Sequence, residues 1–222
     1  MRAMIRFGKK ARLRFISHLD IQRFFQRALN RTGLPIAFSQ GFNPHPILSF
    51  GSALALGWTS DYEIIDVKLA VPMGRKRTEE AMRAALPEDL PVLEVRLVDD
   101  KHPAPMAQVR AADYDIALWG ETAQATLDVV ETFLASESVM AMRKTKSGEK
   151  EVDVRPLAYS IEKTESGLSV RLKLTEKDSL KPDLLVNTLA KLAGVEAPEM
   201  RIHRKMIYGE NEGGELRPLM EL

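Results

Sequence analysis

Hydrophobic and polar positions alternate in short, well-separated stretches, and the clearest helical stripe lies near the N-terminus. Ile21, Phe24, Phe25, Ala28 and Leu29 recur at i, i+3, i+4, i+7 and i+8, the spacing of one buried helix face. Ser17 with Asp20 three residues later forms a capping-box start, and Gly33 followed by Pro35 forms a stop. Met1–Phe7 reads as a strand. Leu34–Ser39 reads as a short strand leading into a stiff loop, Gln40–Pro46. Ile47–Leu56 is apolar with a break at Gly51. Glu63–Ala70 alternates, with Ile65, Val67 and Leu69 inward and Asp66 and Lys68 outward. Thr78–Leu86 reads as a helix capped by Thr78, and Val92–Val98 as a strand.

After a proline-bearing linker, Asp99–Ala107, a second series follows. Tyr114–Trp119 predicts a strand and Glu121–Ala135 a helix. Lys146-Ser147-Gly148 and Glu165-Ser166-Gly167 predict two hairpin turns. Pro182–Ala193 predicts a helix and Met200–Tyr208 a strand. Each half therefore runs strand, helix, strands, helix, strand. The predicted class is α+β, with two tandem ferredoxin-like (βαββαβ) units built on antiparallel sheets. The expected divisions are residues 1–100, residues 108–208, and a flexible glycine-bearing tail at 209–222.

Composition narrows the functional classes. The 222 residues, 45% hydrophobic and 28% charged, fit a globular chain with a real core. No apolar run is long enough for a membrane span, and the N-terminus lacks the apolar core of a signal peptide, so a cytoplasmic address is expected. With no cysteine, disulfides, thiolate metal sites, iron–sulfur ligation and cysteine nucleophiles are excluded in this chain. There is no Walker loop and no dinucleotide fingerprint, so no cofactor is expected. The net charge of +1 conceals an asymmetry. Residues 1–60 hold nine Lys/Arg and only Asp20 as an acid, a balance of +8, which leaves −7 for the remainder. Either one basic face awaits an anionic partner, or the two parts interleave and the charges mix in space.

Three side chains near one loop–helix junction carry candidate chemistry. His18, Asp20 and His45 offer imidazole and carboxylate groups for a metal or for acid–base work, with Glu63 or Asp66 available to complete a metal set. Positions 18 and 20 do not share a helix face, and no standard ligand spacing is present. The competing reading makes Asp20 a cap and the histidines structural. For binding, the candidates are Arg12, Arg14, Arg23, Arg27 and Arg31 toward phosphates. Gln40, Phe42, Asn43 and His45 join them on the loop, and Phe15, Phe42 and Trp58 are available for base stacking.

The stretches Phe15-Ile16-Ser17-His18-Leu19-Asp20 and Ser39-Gln40-Gly41-Phe42-Asn43-Pro44-His45-Pro46, with Ser49-Phe50-Gly51, Leu56-Gly57, Glu63 and Asp66, carry a resemblance. The chain resembles a radical-SAM-associated bacterial family of unknown function. That domain stands alone or is fused to the C-terminus of cobalamin-type radical SAM proteins. A basic residue commonly follows the loop's second proline in that family, where this chain has Ile47. The resemblance implies a separate radical SAM protein as partner, with this chain as an accessory subunit and RNA or a ribosomal component as substrate. By architecture the chain also resembles CRISPR repeat-processing endoribonucleases, although its Gly209–Gly214 tail is acidic, and pseudouridine synthases. The expected function is a non-catalytic binding subunit. The alternatives are a small RNA-processing or RNA-modifying enzyme centred on His18, Asp20 and His45, and a pure protein–protein adaptor.

Overall fold

A computed structural model describes residues 1–145 and 148–222. The predicted turn at Lys146 and Ser147 lies outside the described residues. The chain divides into two compact units, residues 1–109 with 207–222, and residues 110–206.

The first unit begins with β1 (Arg2–Lys9), a single 3-10 turn at Ala11–Phe15, and α1 (His18–Arg31). Ser17 caps α1 as its spacing predicts: its hydroxyl accepts from the Asp20 amide at 3.2 Å and donates to the Asp20 carboxylate at 2.7 Å. Gly33 adopts φ +66 just past the helix, a conformation that favours glycine. Next come β2 (Leu48–Phe50), β3 (Thr59–Lys68), α2 (Arg75–Ala85), β4 (Val92–Val98) and the short α3 (Pro105–Gln108). The strand order is β4-β1-β3, with β2 against β3, and all these pairings are antiparallel. Residues 34–39 form no full strand. Only the bridges Ile36↔Leu69 and Phe38↔Pro46 remain, because Pro35 and the loop interrupt the ladder. Thr78 is not a cap. It lies buried inside α2 and donates to the Gly74 carbonyl at 3.1 Å.

The second unit holds β5 (Ala111–Trp119), then α4 (Ala123–Asp128) and α5 (Val130–Ala135), two helices where the periodicity predicts one. The break falls at Val129, whose ψ of 1° leaves the helical region. β6 (Met140–Thr145) and β7 (Gly148–Asp153) pair antiparallel as a separate two-stranded sheet. β8 (Ala158–Thr164), β9 (Gly167–Lys173), α6 (Pro182–Leu192) and β10 (Glu199–Glu210) complete the unit. Its strand order is β10-β5-β9-β8.

The last residues return to the first unit, since β10 crosses the division at residue 206 and β11 (Leu216–Pro218) pairs with its end. The expected flexible tail is therefore ordered, and the reason is burial. Leu219 and Met220 are covered, the Met220 amide donates to the Tyr62 hydroxyl at 3.0 Å, and Arg96 donates to the carbonyls of Met220 and Leu222. The chain is a mixed α and β protein with mostly antiparallel strands and few helices.

Candidate nucleic-acid or partner interface

The motif residues at the N-terminus separate into an inward and an outward set. Inward, α1 lays Ile21, Phe25 and Leu29 onto the sheet face formed by Ala3, Ile5, Phe7, Ile65 and Val67. At its edge sits a polar group in a mostly apolar shell. Lys9 is 3% exposed and Glu63 4% exposed. With His18, Phe7, Phe50 and Leu54 they line a cavity of about 10 Å³, room for roughly one water. The Lys9 ammonium donates to the carbonyls of Ile16 at 2.9 Å and Arg14 at 3.4 Å. It thereby fixes the turn from which α1 starts. Burial lowers the Lys9 pKa, and the nearby Glu63 carboxylate opposes that shift. The His18 ring meets Phe50 edge to face, with centroids 4.9 Å apart.

His45 does something different. It closes the neck of the 39–45 loop, where its Nδ1 lies 3.1 Å from the Ser39 hydroxyl and 3.3 Å from the Asn43 carbonyl. The Ser39 amide donates to the His45 carbonyl and the His45 amide to the Ser39 hydroxyl. Gly41 turns the tip at φ +123, and Phe42 stands fully exposed there, flanked by exposed Gln40 and Asn43. Asp20 serves the helix start and an ion pair with Arg23 at 3.3 Å. His18, Asp20 and His45 thus engage three different sets of neighbours. Among the described residues no three His, Asp or Glu side chains form a group able to hold a metal ion. Asp66, the other candidate for that set, pairs with Arg2 at 2.5 Å. Burial raises its pKa while Arg2 lowers it.

The folded charge distribution also departs from the linear one. Unit one carries 17 Lys/Arg and 15 Asp/Glu, a balance of +2, and unit two carries 15 and 16, a balance of −1. Basic and acidic segments mix within the first unit through Arg6–Glu94, Lys10–Asp61 and Arg12–Asp89, besides Arg2–Asp66. What stays outward is more local. Arg23, Arg27 and Arg31 repeat every four residues along the exposed side of α1. Arg31 also donates to the Arg27 and Ala85 carbonyls. The Arg14 guanidinium covers the Phe15 ring at 4.3 Å. Phe15, Leu19 and Leu56 are each more than 60% exposed, and the Gly57 amide bonds the Arg14 carbonyl at 2.7 Å, which places Leu56 beside that turn. Trp58, a stacking candidate in sequence, is half-buried. Leu19 and Leu56 are not legible as surface residues in sequence, because isolated leucines carry no motif.

Over residues 2–182 the chain matches the family described as an uncharacterized protein conserved in bacteria (DUF2344). The chain belongs to that family. No curated protein matches this DUF2344 member by sequence. Among solved structures, a chain in the crystal structure of a Cbf5-Nop10-Gar1 complex is similar, with a TM-score of 0.50 and 11% identity over 92% of this chain. The DUF2344 chain spans about half of that one, 48%, and the likeness is one of fold. Among the described residues, no helix of the DUF2344 chain is long and apolar enough to cross a membrane.

Proposed function

We propose that the chain is a binding subunit that engages RNA or a ribosomal component through the outward surface of its first unit. In this reading it works in the cytoplasm beside a separate radical SAM enzyme that holds the cluster. Each unit is taken as a ferredoxin-like module. Supporting this, the four sheet strands run fourth, first, third, second in both, as β4-β1-β3-β2 and as β10-β5-β9-β8. The observation that carries the functional reading is the pairing of a fully exposed aromatic, Phe42, on a loop locked by Ser39 and His45, with the Arg23–Arg27–Arg31 ridge and the Arg14–Phe15 stack. Because the loop is held by its own hydrogen bonds, ordering it costs a partner that binds Phe42 little. Unpaired bases stack on such rings, and arginines neutralise the adjoining phosphates.

The test is RNA binding by the purified protein at roughly 50 and 200 mM salt. Four phosphate contacts on a single strand give a logarithmic slope near −3, hence about a 50-fold loss over that interval. Arg23→Glu with Arg27→Glu is expected to weaken binding at least tenfold, and Phe42→Ala by a similar factor. Unchanged affinity in both variants across salt overturns the reading. A second reading is supported by exposed Ile16, Leu19 and Leu56, which suit a protein partner. Partner binding that is independent of salt and lost in Leu19→Asp selects it over RNA.

A further inference from the structure

One face of the second unit's sheet carries side chains that are partly or fully exposed. Along β5, Asp113, Asp115, Ala117 and Trp119 alternate with buried Ala112, Tyr114, Ile116 and Leu118. Along β9, Ser169, Arg171 and Lys173 alternate with buried Leu168, Val170 and Leu172. Along β10, Arg201, His203 and Lys205 alternate with buried Ile202 and Arg204. Side chains two apart on a strand stand about 6.6 Å from each other on one face, so β10 carries a row of three nitrogen-bearing groups. A groove of about 420 Å³ lies on this face, lined by Arg201, His203 and Lys205 on one side and by Asp115, Ser169 and Thr164 on the other. That volume falls within the range of small-ligand sites.

Next to the groove, reached through Arg201, stands an aromatic ring. Trp119 is 41% exposed. Its indole N–H donates to Glu199, which fixes the ring, and the Arg201 guanidinium lies 5.9 Å from the ring centre. Other charges on this face are spent across strands: Arg171 makes a two-pronged bond to Asp113, at 2.7 and 2.9 Å. Lys205 holds Asp115 at 3.3 Å with both partners half exposed, a pairing worth little and exchangeable for a phosphate.

We infer that this groove binds a nucleoside phosphate, either free or as one residue of a single-stranded RNA, with the base against Trp119 and the phosphate between Arg201 and Lys205. The hydroxyls of Ser169 and Thr164, with the Asp115 carboxylate, supply the hydrogen-bonding partners that a ribose or a base edge needs. A flat ring beside cations at fixed spacing suits a planar base joined to an anion. It suits an acidic peptide less well, because a peptide leaves the indole without a stacking partner. The residues that line the groove all belong to the second unit.

The test titrates the whole protein with hexauridylate and, separately, with uridine monophosphate, following tryptophan emission. The expected result is quenching by at least one of them, lost in Trp119→Phe. In Arg201→Ala with Lys205→Ala, affinity falls tenfold or more and the salt slope for hexauridylate shrinks by about 1.4, the value of two single-strand phosphate contacts. Comparable affinity for the monophosphate assigns the site to free nucleotides, and binding of hexauridylate alone assigns it to RNA. Binding that persists in Arg23→Glu with Arg27→Glu separates this site from the surface of the first unit. Three results overturn the inference: no quenching by either ligand at low salt, binding unaltered by the Arg201 and Lys205 changes, or equal quenching by polyglutamate.

Discussion

The sheets of the two units differ in how many faces they bury. In unit one, β1 and β3 are covered on both sides. Ile5, Phe7 and Ile65 meet α1, while Met4, Tyr62 and Ile64 on the opposite side are as deeply buried. Tyr62 there bonds the Met220 amide, and Pro105 reaches the edge beside Ile64 and Gly51. In unit two, the face carrying Tyr114, Ile116, Val170 and Leu172 is buried, while the face with Trp119, Arg171, Arg201 and Lys205 is partly to fully exposed. Covering both faces makes a scaffold, and it leaves the first unit's outward chemistry to helix and loop positions such as Arg23 and Phe42. An open face makes a platform. The same strand order thus supports two kinds of surface, and which residues can be changed without unfolding the chain differs accordingly.

The largest expected effect probes the covered face. Leu219→Ala removes a fully buried side chain from the segment beside Tyr62 and is expected to cost about 2–5 kcal/mol. Urea denaturation followed by hydrogen exchange reads it, with protection lost first in β1 and β3. Lys205→Ala on the open face, half exposed and paired with Asp115, is expected to cost under about 1 kcal/mol in the same assay. Equal costs would mean that the contrast between the faces has no energetic content.

A smaller effect concerns Tyr62. Burial pushes its phenol up to about 12, and the Met220 amide that bonds its oxygen pulls the other way. The folded state therefore holds the Tyr62 proton more tightly than the unfolded state, whose value is near 10. The resulting stability is fully present below pH 10 and is lost as pH rises from 10 through 12. Tyr62→Phe is expected to cost about 1 kcal/mol at neutral pH through the lost bond and to flatten that alkaline decline. An alkaline limb that persists unchanged in the variant would assign it to other groups.

Local signals in the chain were strong where they depended on neighbours in sequence. Ser17, Asp20 and Gly33 bound α1 as their spacing requires, and the Ile21–Leu29 stripe is its buried face. Signals that depend on distant packing were not legible. Gly209–Leu222 reads as a tail because glycine and glutamate dominate it, yet Leu219 is buried and the Met220 amide bonds the Tyr62 hydroxyl, 158 residues away in sequence. The excess charge of residues 1–60 was real in composition, but four of its cations meet acids lying between Asp61 and Glu94. The Arg201-His203-Lys205 row lies within the predicted strand Met200–Tyr208 and carries no motif, because polar residues at every second position mark a half-buried strand before they mark a site. His18 and His45 are candidates in sequence because imidazole titrates near neutrality, and the structure gives them a ring contact and a loop neck.

The smallest effect sharpens the comparison on the open face itself. Asp113 and Arg171 form a two-pronged bond between β5 and β9 with Arg171 partly exposed. In water-facing settings such a pair contributes about 0.2–1 kcal/mol. Asp113→Asn keeps one acceptor and the side-chain shape, so it is expected to lower stability by less than about 1 kcal/mol at low salt and by less again at high salt, where screening weakens the charged pair. The same change removes one negative charge from the face that carries Arg201 and Lys205, so polyanion affinity is expected to rise while stability barely moves. A loss of several kcal/mol would mean that Asp113 is holding the two strands together, and the face would then be a structural surface like that of the first unit.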